Sequence, residues 1–297
     1  MDLTAVLPTF VVTLREGFEA ALVVGIVLAC LKVAEQTRLN RWVYAGVGAG
    51  TIASLLVGLV LASLLVGLES YPVVKESLEA GFGIVAIALL SWMLIWMTNQ
   101  AKSLKSEVEG AIQTALASDK SAAWVAFTLT FIAVLREGFE TVLFIVAQFE
   151  AGWKMPAVGA VTGLTLAAFL GLLLFQWGVK INIRLFFQVM GVLLLAIVGG
   201  LLVGVLSEID KAVSFLSQID SNYVSWCFSG ASCILGSQVW DASAVLPDKQ
   251  FPGIILKALF GYRQIIYFAQ AVAYILFISI VGSLYFRSLN PNKHLQK

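Results

Sequence analysis

The sequence predicts an all-α polytopic membrane protein with seven transmembrane helices, arranged as a 3+3 inverted repeat followed by one C-terminal helix. Three observations predict it. Of the 297 residues, 60% are hydrophobic and only 12% are charged, and mean hydropathy is +0.92. An ordinary soluble domain is about 25% charged, so this chain has too little polar surface to coat a water-soluble globule. Seven apolar stretches are long enough to cross a bilayer, which takes roughly 17–25 residues. One charged hexapeptide occurs twice, 121 residues apart, inside two of those stretches.

The spans run at approximately 5–31, 43–68, 80–98, 122–149, 156–178, 184–206 and 265–286. A transmembrane β-barrel would show alternating segments of about 10 residues; these runs are longer and do not alternate. Met1-Asp2 is no basic n-region, and the first basic residue, Arg15, lies inside the apolar run, so the first stretch reads as a mature span and not as a signal peptide. Together the spans make residues 1–297 one transmembrane domain. Repeat one covers about 1–98, repeat two about 122–206, an outer loop about 207–264 and the seventh helix about 265–286.

Orientation follows from the basic residues in the connections. Lys32, Arg38, Arg41, Lys102, Lys105, Lys120, Lys180, Arg184, Arg287, Lys293 and Lys297 fall on one side. Lys75, Lys154, Lys211, Lys249, Lys257 and Arg263 fall on the other, four of them in the long loop. The richer side is cytoplasmic, which puts the N-terminus outside and the C-terminus inside.

The two remaining basic residues are Arg15 and Arg136. Each belongs to the hexapeptide, Leu14-Arg15-Glu16-Gly17-Phe18-Glu19 in span one and Leu135-Arg136-Glu137-Gly138-Phe139-Glu140 in span four. Gly46, Gly50 and Gly58 of span two recur at the same spacing as Gly159, Gly163 and Gly171 of span five, offset 113. A duplicated unit of three spans inverts its second copy, and transporters so built place their substrate site near the midplane between the repeats.

A charge at the bilayer centre costs at least about 2.5–3.5 kcal/mol, so the hexapeptides should face the bundle interior. Glu16 and Glu19 share a helix face at i, i+3, as do Glu137 and Glu140. Arg15 to Glu19 and Arg136 to Glu140 are i, i+4 pairs, which leaves Glu16 and Glu137 as surplus carboxylates. The four glutamates and two arginines sum to a formal −2, and no span holds a lysine to balance it. A polyvalent cation fits the deficit, and all-carboxylate ligation selects hard cations. Both motifs lie mid-span, so the two pairs are expected to meet in one central site, with Gly17 and Gly138 letting the two motif helices approach.

Other residues carry less. Glu76 and Glu79, also i, i+3, sit with Glu69 at the outer mouth of span three and read as a cation-collecting vestibule or as solvated surface. Met93 and Met97 lie beside Trp92 and Trp96 on span three and read as packing and an interfacial aromatic belt before soft-metal ligation. Glu107 and Glu109 lie in the polar inner connection. Cys227 and Cys233 fit a loop disulfide and fit two free thiols equally.

Several classes are excluded. A single histidine, His294, near the C-terminus rules out a histidine-built zinc, copper or haem site. Three cysteines are too few for a disulfide scaffold or a four-cysteine cluster. Net charge of +1 implies no face for nucleic acid. Without a Walker motif, a dinucleotide fingerprint or a nucleophile elbow, the chain reads as a transporter and not as an enzyme.

The doubled Arg-Glu-Gly-x-Glu resembles the signature of the oxidase-dependent iron transporter family, which comprises fungal high-affinity iron permeases and bacterial EfeU-type iron permeases, and the likeness is greatest to the bacterial branch. The resemblance also covers Glu79 to Met97, Trp177 to Asn182, Asp241 to Leu246 and Leu259-Phe260-Gly261-Tyr262. It implies a seven-helix iron permease of the plasma or bacterial inner membrane that takes the iron ion as transported substrate and needs no cofactor. Carried over by position, the metal residues are Glu16, Glu19, Glu137, Glu140 and Glu79, with Glu76 beside them and Arg15 and Arg136 as supporting ion pairs. It implies an outer-side partner as well, a periplasmic binding protein, a haem peroxidase or a multicopper oxidase. Ala244 stands where fungal members carry the glutamate of Asp-Ala-Ser-Glu, so no metal role carries over to that loop. The alternatives are a transporter of another hard or heavy divalent cation such as Mn²⁺ or Pb²⁺, and a non-transporting structural membrane subunit.

Overall fold

The computed structural model describes residues 3–67, 72–100, 110, 112, 122–147, 154–179, 182–219, 227 and 232–289. Glu69, Glu107, Glu109, Asp220, His294 and the tail lysines lie outside them, as does the side chain of Met97. In chain order the elements are α1 (Leu3–Val33), a 3₁₀ turn (Thr37–Leu39), α2 (Asn40–Gly67), α3 (Pro72–Gln100), α4 (Ala122–Val146), α5 (Lys154–Phe175), α6 (Ile183–Ile219), β1 (Gln238–Asp241), α7 (Gly253–Phe260), β2 (Ile265–Tyr267) and α8 (Phe268–Leu289).

Helix dominates because a backbone in lipid must satisfy its own N–H and C=O groups, and a helix does so within one segment. By length and composition α2, α3, α5, α6 and α8 can each cross a membrane, which makes this a multi-pass membrane protein. Helices α1 and α4, of 31 and 25 residues, carry the two hexapeptides. Their outward faces suit lipid: along α2, Ile52, Leu55, Leu56, Leu59 and Val60 are all exposed.

Three boundaries depart from the sequence reading. Helix α6 does not end near 206 but continues to Ile219, 37 residues in all. At 1.5 Å per residue it is ~55 Å long, well beyond a ~30 Å hydrocarbon core. The last helix begins at Phe268, because 265–267 pair as strand β2 with β1 in a small antiparallel ribbon, so the fold is not purely helical. The loop also contains α7, capped by Gly261 in the left-handed conformation at φ 67°.

Packing is organised by glycine. Helix α1 lies against α5, α2 against α4, and α3 against α6, with α1 and α4 also touching. A Cβ at Gly46 would meet Phe127, Thr130 and Phe131, and one at Gly159 would meet Val6, Thr9 and Phe10. Gly50 abuts Phe131 and Val134; Gly163 abuts Phe10 and Thr13. Gly58 abuts Val142, and Gly171 abuts Ala21. Each of these glycine contacts of α2 with α4 thus has its counterpart between α5 and α1 at the offsets of 113 and 121 seen in the sequence. The small-residue faces let backbones approach closely where lipid gives no hydrophobic drive to association. The buried threonines on these faces bond back into their own helices, Thr130 Oγ1 donating to Ala126 O and Thr9 Oγ1 to Ala5 O, both at 2.8 Å.

The main core gathers Val11 and Val12 of α1, Leu90 and Leu94 of α3, Phe144 of α4, Leu194, Leu195, Ile197 and Val198 of α6, and Tyr285 of α8. It joins α1, α3, α4, α6 and α8. Helix α7 packs on α1 and α6 at one end of that group.

Candidate functional site

The two hexapeptides meet. Oxygens of Glu16, Glu19 and Glu137 lie within 4.8 Å of one another, although α1 and α4 bring them from positions 121 residues apart. Glu16 is fully buried and Arg15 nearly so. Glu140 is not one of this trio and pairs with Arg136, 3.3 Å from its Nε. Oε2 of Glu16, Glu137 and Glu140 is in each case buried and accepts no hydrogen bond.

The ion pairing differs from the simple i, i+4 expectation. Arg15 Nη1 donates to Glu16 Oε1 at 2.7 Å, and Nη2 pairs with Glu19 Oε1 at 3.0 Å. Glu16 is therefore not free of its own arginine. A guanidinium is a planar fork with five donors, and in a buried site it folds back to serve two carboxylates, overriding the usual rule that i, i+1 side chains diverge. Arg136 is looser. It lies 4.0 Å from Glu137, and 43% of its side chain is exposed against 3% for Arg15.

The motif glycines also act elsewhere than expected. A Cβ on Gly17 would press on Ala167 and Leu164 of α5, and one on Gly138 would press on Ser54 of α2. They bring each motif helix onto its glycine-faced partner; they do not set the α1–α4 contact. Residues 54 and 167 are themselves related by the offset of 113.

Two α3 side chains missed by the sequence reading touch the arginines. Met93 Sδ accepts from Arg15 Nη1 at 3.5 Å, and the Arg136 guanidinium lies 4.6 Å from the ring centroid of Trp96. Nothing in the sequence singles out this role, because both residues also suit ordinary membrane packing.

A second acidic group stands at one end of α3. Glu76, Glu79 and Glu208 place carboxylate oxygens within 4.8 Å of one another. Glu208 comes from the extension of α6, and Lys211 one turn on donates to both of its oxygens at 3.1 and 3.2 Å. The available signal for Glu208 was the apolar spacing of Leu206, Ile209 and Val213, which carries the helical pattern past the supposed end of span six. Glu79 and Glu208 line a cleft of about 180 Å³ with Pro8, Gly204, Lys257 and Arg263.

The ribbon of β1 and β2 is closed locally. Trp240 Nε1 donates to Arg263 O at 3.3 Å. The Ser243 hydroxyl and backbone N–H hold the exposed Asp241 carboxyl below its ordinary range. Cys227 and Cys233 are joined in a disulfide.

A family model described as the iron permease FTR1 family matches residues 6–286. This chain belongs to that family. Among its relatives, an uncharacterised protein of Synechocystis sp. is 49% identical over 295 residues, covering 97% of this chain and 96% of the relative. The ferrous iron permease EfeU of Escherichia coli is 29% identical over 259 residues, 86% of each chain. That of Yersinia pestis is 28% identical over 282 residues, covering 93% of this chain and 92% of the relative. No solved structure matches. Membership of a permease family makes the metal ion a transported substrate and not a cofactor, and among the described residues two acidic groups could hold a cation.

Proposed function

We propose that this chain imports iron ions across the plasma or bacterial inner membrane, through one central site made by Glu16, Glu19 and Glu137 with Glu140 beside them. The observation that carries it is the convergence of the three carboxylates between α1 and α4. A buried acidic oxygen with no donor costs free energy, and a hard cation removes that cost by binding it directly. With no cation, Arg15 and Arg136 neutralise part of the charge; with one, the carboxylates exchange guanidinium for metal. Water or backbone carbonyls complete the shell, since a hard cation takes about six oxygens.

On this reading the chain is one seven-span domain, a 3+3 inverted repeat plus α8. Support comes from the matched glycine contacts, which map α1 onto α4 and α2 onto α5. The basic asymmetry of the connections places the N-terminus outside and the C-terminus inside. A cysteine placed at position 297 should then resist an impermeant thiol reagent in intact cells; labelling there overturns the orientation. An outer-side partner, either a binding protein with a haem peroxidase or a multicopper oxidase, would deliver the iron.

The group Glu76, Glu79 and Glu208 serves as the outer vestibule. Clustered like charge raises local cation concentration without performing translocation. Glu79→Gln should therefore raise the apparent KM for iron roughly threefold to tenfold and leave the maximal rate nearly unchanged. A fall in maximal rate alone would place Glu79 further along the path.

The function is tested by uptake of radioactive iron into proteoliposomes, comparing ferrous and ferric iron with and without a proton gradient. Manganese and lead serve as competitors. Iron uptake above protein-free liposomes is expected. A chain that moves manganese or lead but not iron, or moves nothing, overturns the proposal.

A further inference from the structure

The two motif arginines occupy equivalent positions in sequence but not in space. Arg15 is enclosed, paired with Glu16 and Glu19 at 2.7 and 3.0 Å, and donates to the Met93 thioether of α3 at 3.5 Å. A thioether is a weak acceptor. Arg136 is 43% exposed, 3.3 Å from Glu140 and 4.0 Å from Glu137. Its guanidinium already lies over the Trp96 indole, 4.6 Å from the ring centroid. A guanidinium is planar and weakly hydrated, so it is stable both against a carboxylate and against an aromatic face. Arg136 therefore has two favourable seats side by side, a carboxylate and an indole face. Met93 and Trp96 are i, i+3 on α3, so one helix face decides both environments.

We infer that Trp96 is a positioning residue for cation passage: its indole face is the seat that retains Arg136 when a cation takes Glu137 and Glu140. This rests on the iron-import reading and adds to it which arginine yields and what takes it up. Glu137 belongs to both sets, being one of the three converging carboxylates and the more weakly held partner of Arg136. Held on the indole, Arg136 can withdraw from the carboxylates and leave their oxygens to the cation without entering the apolar bilayer as a bare charge. Arg15, enclosed against Glu16 and Glu19, is the counter-charge that keeps the empty site folded. Without the indole, Arg136 must compete with the arriving cation for the same oxygens.

The test is uptake kinetics of ferrous iron in proteoliposomes for wild type, Trp96→Leu and Trp96→Tyr. Trp96→Leu should raise the apparent KM by roughly fivefold to thirtyfold, the range spanned by a desolvated cation–π contact, with the maximal rate changed less than twofold. Trp96→Tyr, which keeps a π face, should stay within about threefold of wild type. An unchanged or lowered KM in Trp96→Leu overturns the inference. So does an equal rise in both variants, which would make Trp96 a packing residue only. Should the leucine variant fail to accumulate, Trp96→Met fills comparable volume without a π face and is held to the same expectation. Wild-type protein that takes up no iron defeats the import reading itself. Wild-type uptake with an unmoved Trp96→Leu defeats only the seat for Arg136.

Discussion

Glu16→Gln is expected to lower iron uptake at least about a hundredfold in protein that still reaches the membrane. Loss of a residue that merely orients a metal ligand costs about 10–100-fold, and Glu16 is a proposed ligand itself. It is fully buried, its Oε2 accepts no hydrogen bond, and it stands within 4.8 Å of both Glu19 and Glu137. Glutamine keeps the shape and removes the charge. Arg15 keeps Glu19 as an ion-pair partner at 3.0 Å, so the arginine is not stranded and the fold is retained. The check is initial uptake rate normalised to the quantity of permease in the membrane fraction. Uptake within about twofold of wild type at normal abundance would remove Glu16 from the path.

Arg15→Ala is expected to act on folding before transport. It strips the guanidinium from two buried carboxylates at once, and breaking a buried pair by removing one partner costs about 3–5 kcal/mol. The variant should show a lower thermal midpoint in detergent and lower abundance, with uptake falling in proportion or further. Arg136→Ala is the comparison. Its side chain is 43% exposed against 3% for Arg15, so its loss leaves the packing less disturbed and its midpoint should shift much less while its transport changes. Equal destabilisation by the two substitutions would show that the difference in burial has no energetic meaning.

Much of this was legible in sequence because it is local. A helix in lipid is announced by its own apolar run, and a charge within that run is costly wherever the helix packs. Arg15, Glu16 and Glu19 are therefore visible as candidate functional residues from one segment alone, and their echo at Arg136, Glu137 and Glu140 names the second half of the proposed site. Glu208 was hidden for the opposite reason. Its meaning depends on α6 continuing to Ile219 and reaching the side chains of Glu76 and Glu79 on α3, and apolar content falls there without the helix ending.

The sequence by itself determined the membrane class, the two charged hexapeptides and the glycine spacing that repeats at a fixed offset. Each is a property of one segment compared with water or lipid, or of two segments compared with one another. Only the tertiary structure decided which surfaces meet. It turned Gly17 and Gly138 toward α5 and α2 and not toward each other. It gave Arg15 two carboxylates in a closed site and set Arg136 against Trp96 at its edge. Identical hexapeptides have the same local chemistry, but a buried charge takes its behaviour from whatever surrounds it. Those surroundings come from helices far away in the chain, and helix α3 passes one arginine with a thioether and the other with an indole.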